Sequence, residues 1–104
     1  VNDRTTPAVV GADHDLDLLF EQVRRLRELA ENPELSSDND LVYDFGIWWG
    51  VMVAGRLPRL AYYSGKGALS AVEQARFDRL RSELRQAQPL IERLSLAKPT
   101  AAYR

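Results

Sequence analysis

The sequence predicts an all-α protein: a three-helix bundle, its last helix kinked into a fourth segment, built around a central apolar helix that dimerises. Three observations carry that prediction. Leu16, Leu19, Val23, Leu26 and Ala30 recur at a 3-4-3-4 spacing, which places them on one face of a helix. Phe77, Leu80, Leu84, Ala87, Ile91 and Leu94 repeat in the same way. Between these stripes the span from Leu41 to Leu57, LVYDFGIWWGVMVAGRL, is apolar almost all the way round. No period-two alternation suggests a strand.

Residues 1–12 lack periodicity, carry Pro7 and Gly11, and are expected to form a flexible arm. The first helix should start near Asp13, with Asp13, Asp15 and Asp17 in its first turn and Arg24, Arg25 and Arg27 later, the order that complements a helix dipole. Asn32-Pro33 should end it, since a residue before proline avoids helical backbone angles. Ser37, Asp38 or Asn39 can then cap the apolar second helix. On a wheel at about 100° per residue, Asp40 and Asp44 share one narrow edge with Val51 and Gly55. Pro58 is expected to break or kink this helix, leaving a short aromatic turn and a Gly-flanked loop over RLAYYSGKG. Ser70-Ala71-Val72-Glu73 has the form of a capping box and should open the third helix. Its stripe passes through Pro89 without losing phase, which favours one kinked helix over 71–95. The domain organisation is therefore an arm over 1–12, a helical domain over 13–96 and a flexible tail over 97–104.

The bulk numbers exclude several classes. With 104 residues, 14 basic and 15 acidic side chains and a net charge of −1, the chain suits one soluble domain and offers little pull on nucleic acid or an anionic membrane. The absence of cysteine removes disulfides and thiolate chemistry. The longest uncharged apolar run, the 11 residues between Asp44 and Arg56, is about 16 Å long as a helix, too short for a hydrocarbon core of about 30 Å. The opening VNDRTTPAVVGADHD lacks the basic start and apolar run of a secretion signal, so the expected location is cytoplasmic.

Gly46, Gly50 and Ala54 stand four residues apart and form a smooth stripe that a second backbone can approach closely, so a larger side chain at Gly50 should obstruct packing. Together with Trp48, Trp49 and Val53 they make up the expected interface. A helix this apolar exceeds what two neighbours can wrap, and a second copy is the expected cover. An alternative is a small enzyme or ligand-binding protein with an aromatic pocket of Tyr43, Asp44, Arg56, Tyr62 and Tyr63, where Asp44 needs a cationic partner, Arg56 or Arg59. A second alternative, nucleic-acid binding, uses Arg76, Arg79, Arg81 and Arg85 of the third helix, although Glu73, Asp78 and Glu83 stand at helical reach to neutralise them.

The cluster Asp13-His14-Asp15-Leu16-Asp17 fails the calcium-loop pattern, and Ser64-Gly65-Lys66-Gly67 lacks the upstream glycine of a phosphate loop. No metal, cofactor or catalytic residue is expected. The Trp48-Trp49-Gly50 triplet resembles the Trp-x-Gly signature of the small type VII secretion substrates, which form helical hairpins. The likeness covers three residues, and here the triplet lies inside a continuous apolar segment where that family has an inter-helix turn. The reading is a helical interaction or assembly module, homo-oligomeric, with a protein partner and without nucleic acid or membrane.

Overall fold

The computed structural model describes residues 9–103, and the expected arm over 1–12 lies mostly outside them. Among the described residues six α-helices follow one another: α1 (Ala12–Glu31), α2 (Pro33–Ser36), α3 (Asn39–Ala54), α4 (Arg56–Gly65), α5 (Ala71–Gln86) and α6 (Gln88–Arg93). A 3₁₀ turn over Thr100–Tyr103 is the last of the described elements. The all-α class is as the hydrophobic periods predict, but the element at the centre is not.

That element is α1, which touches every other α-helix. Its stripe is wide: Ala12, Asp15, Leu16, Leu19, Gln22, Val23, Leu26, Leu29 and Ala30 are all buried. Phe77, Leu80 and Leu84 of α5, Ile91 of α6, and Leu57 and Leu60 of α4 complete the core. The expected central helix, α3, lies on the flank and buries only Trp49 and Met52. Its mean apolarity is high, but it is spread around the cylinder, and a helix with no preferred face does not organise a core.

The ends of the helices follow local chemistry. At the start of α1, Gly11 holds φ +82°, a left-handed angle that suits a residue without Cβ. At its far end the Arg93 guanidinium donates to the Ala30 carbonyl at 2.7 Å, satisfying an acceptor that the helix leaves open. Asp38 caps α3, its Oδ1 accepting from the backbone of Asp40 and Leu41 at 3.1 Å each. Ser70 Oγ accepts from Glu73 N–H at 3.1 Å while Glu73 Oε1 accepts from Ser70 N–H at 2.9 Å, a complete capping box. Ser70→Ala is expected to cost about 1 kcal/mol, a fall in Tm of about 4–8 °C by circular dichroism.

Three expectations along the chain change. The aromatic turn after Pro58 is a helix, α4, because the break falls at Gly55 and Pro58 sits in the first turn of the new helix, where its missing N–H is no loss. The third helix is two segments separated by Ala87, yet Leu84, Ala87 and Ile91 remain buried in phase. Residues 97–103, expected as a flexible tail, are packed: Pro99 and Ala102 are buried, and the 3₁₀ turn lies against α4 and α5.

A Schellman turn sets up that return. Ser95 takes φ +56°, and Leu96 N–H donates back to the Ile91 carbonyl at 2.9 Å. Leu96 then lands on Gly46, where a Cβ would stand 3.4 Å from its Cδ2. The small-residue stripe is used there by the chain's own C-terminal segment. Gly50 has no such neighbour, since a Cβ would meet nothing within 4 Å.

Candidate functional site

Half of α3 faces outward. Asn39, Asp40, Leu41, Tyr43, Asp44, Ile47, Trp48, Val51 and Ala54 are exposed, and only two of these nine carry charge. Tyr43 is 69% exposed, Trp48 60%, Val51 57% and Ile47 50%, so four large apolar side chains share one helix half. The stripe read from the sequence is thereby divided. Trp48, Gly50 and Ala54 belong to the outward half or its edge, whereas Trp49 and Val53 turn toward the core and Gly46 meets Leu96. The indole of Trp49 stacks obliquely on Phe45 at 6.0 Å and donates to the Ala97 carbonyl at 2.7 Å.

Beside this face a groove of about 420 Å³ runs between α1, α2 and α3. Leu29, Leu35, Leu41, Phe45 and Trp48 line it, with Arg24, Arg25, Glu28 and Asp44 at its polar edges and Gln22 in its wall. Glu21 ties down the α1 rim: the guanidiniums of Arg24 and then Arg25 hold its carboxyl down at about 2. Gln22 is 7% exposed, and its Oε1 has no hydrogen-bond partner among the described residues. An unmatched buried amide oxygen costs about 1–3 kcal/mol, and a leucine at this place on the stripe would avoid that cost.

The expected pocket around Asp44 does not assemble. Asp44 lines the α1–α3 groove, Tyr43 a shallow cleft against Leu94–Ala97, Arg56 a cleft with His14, and Tyr62 a fourth beside Phe77. Tyr63 packs on Tyr62 edge to face at 5.2 Å, and Arg59 stacks on its ring. The cations expected to serve Asp44 serve Asp15 instead. Arg56 Nη1 donates to Asp15 Oδ1 at 2.5 Å and Arg59 Nη1 to Oδ2 at 2.7 Å, while Arg59 Nη2 also donates to the Val10 carbonyl. Asp44 forms no ion pair among the described residues.

The arginines of α5 are engaged as well. Arg76 bridges Asp13 at 3.1 Å and Asp17 at 2.6 Å, and the bond to Asp17 raises its pKa further. Arg79 pairs with Glu83 and Arg81 with Asp78. Two of these pairs follow the helical spacing, whereas Arg76 reaches across to α1 and leaves Glu73 to the capping box. The acids at the start of α1 are thus inter-helix partners more than dipole caps.

No family model matches the chain, and no curated protein sequence or solved structure shows significant similarity to it. Among the described residues no helix is long and apolar enough to cross a membrane.

Proposed function

We propose that this protein is an assembly module that pairs with a second copy of itself through the outward half of α3. The observation that carries the reading is the run of Tyr43, Ile47, Trp48 and Val51, all at least half exposed, on a helix with few charges. Single exposed apolar residues are ordinary, but four large ones on one helix half form a contiguous patch of the kind that marks an interaction surface. Self-pairing suits the patch because a helix face meets its own image across a two-fold axis, and Gly50 and Ala54 leave room for backbones to approach.

The enzyme reading has less support, because Tyr43, Asp44, Arg56 and Tyr62 line four different clefts. Nucleic-acid binding is weakened by the acids already paired with Arg76, Arg79 and Arg81. Light scattering over a concentration series tests the proposal. The native chain should approach twice its 11.8 kDa mass, and Ile47→Glu/Val51→Glu should stay at 11.8 kDa with an unchanged helical spectrum. A native chain that remains at 11.8 kDa at every concentration overturns it.

A further inference from the structure

We infer that residues 95–103 are a strap that swings off α3 about Ser95, and that the paired form of the chain is the one with the strap open. This rests on the self-pairing reading and adds the device that regulates it. The hinge is Ser95, which stands just past the C-cap Leu94 of α6, where a Schellman turn usually has glycine. Its φ of +56° is left-handed, an angle that a residue with a Cβ resists. The Ser95 side chain is exposed, so a substitution there acts through the backbone angle more than through packing.

Past the hinge turn the strap is tied down lightly. Thr100 N–H donates to the Lys98 carbonyl and Ala102 N–H to that of Pro99, both within the strap itself. Among the described residues, one hydrogen bond joins residues 97–103 to a helix, that from the Trp49 indole to the Ala97 carbonyl. Burial of Leu96, Pro99 and Ala102 supplies the rest of the hold. Against it stands Tyr103, whose hydroxyl oxygen is buried with no hydrogen-bond partner among the described residues. Water supplies that missing bond once the strap lifts. A segment held by so few contacts, closed over an unmet polar group and an unfavourable angle, opens at less cost than the whole domain.

What the strap covers connects it to pairing. Leu96 sits on Gly46, the first of the small residues that step along α3, whereas Gly50 is open and Ala54 exposed. The docked strap therefore blocks close approach of a second backbone at the Gly46 end. A cleft of about 430 Å³ lies between residues 94–97 and the outward face, with Tyr43 and Ile47 of that face in its wall. Opening joins Tyr43 and Ile47 to Gly46 and the freed edge of Trp49 in one continuous surface.

The test compares the native full chain with Ser95→Gly and Ser95→Val by hydrogen exchange, at concentrations below the dissociation constant, and by the dimer dissociation constant itself. In the native chain the amides of Leu96 and Ala102 should exchange faster than that of Val23 in α1, with a weaker dependence on denaturant. Glycine accepts the left-handed angle and should slow both strap amides by about 3- to 5-fold, whereas valine, branched at Cβ, should quicken both by at least as much. Pairing that draws on the open form follows the open fraction, so the dissociation constant should rise by the same factor in Ser95→Gly and fall in Ser95→Val. Should the valine variant fold poorly, the glycine variant alone carries both readouts. Leu96 and Ala102 exchanging at the rate of Val23, with the same denaturant dependence, overturns the strap. A dimer whose dissociation constant is the same in the native and variant chains overturns the coupling and leaves self-pairing standing. A native chain and variants that all stay at 11.8 kDa overturn coupling and pairing together.

Discussion

Asp15→Ala is expected to lower stability by about 2–3 kcal/mol, read as a fall in Tm of about 10–20 °C by circular dichroism. The carboxylate is 3% exposed and accepts from two guanidiniums, 41 and 44 residues further along the chain. Removing one member of a buried pair costs about 3–5 kcal/mol when the other charge is stranded. Here Arg56 and Arg59 keep 41% and 37% of their side chains in solvent, so water recovers part of that cost. Arg56→Ala and Arg59→Ala should each cost less than Asp15→Ala, because the carboxylate keeps one partner. A loss below about 0.5 kcal/mol for Asp15→Ala, the level of an ordinary surface change, would show that the clamp between α1 and α4 carries no load.

Trp49→Ala should cost about 3–5 kcal/mol, a large part of the about 5–15 kcal/mol that holds an ordinary domain folded. The ring is 1% exposed, and its N–H holds the Ala97 carbonyl. Trp49→Phe separates the two roles by keeping most of the packing and deleting the donor. Its stability loss should be smaller, and hydrogen exchange should quicken first at Ala102, whose N–H donates to Pro99 within the returning 3₁₀ turn. Unchanged protection at Ala102 would mean that the indole does not hold the C-terminal segment in place.

Much of the architecture was legible where a period is strict. The stripe from Leu16 to Ala30 and the one from Phe77 to Ile91 pack as their spacing implies, and the Ser-x-x-Glu box at Ser70 caps α5. Pro58 misled because proline forbids a helix interior but suits a first turn, and the residues do not say which position it will hold. Asp15 and Gln22 did leave a signal: both fall on the apolar stripe of α1, seven residues apart. A polar group at such a position has to be matched somewhere, and for Asp15 the match is on α4. That match is invisible to local reading because a separation of more than forty residues has no spacing rule. The apolarity of α3 was plain, whereas its place on the flank follows from which helices have faces, a property of the whole set.

The bond from Trp49 to Ala97 spans 48 positions of sequence. Synthesis runs at about 5–20 residues per second, so on a ribosome the indole waits roughly 2–10 seconds for the carbonyl that anchors it. Throughout that interval the flank of α3 that Leu96 and Ala97 cover lies open on the nascent chain. Production of this protein is therefore timed by the residues around Ala97, and a slow stretch of message just upstream of them would prolong the period in which newborn chains can clump.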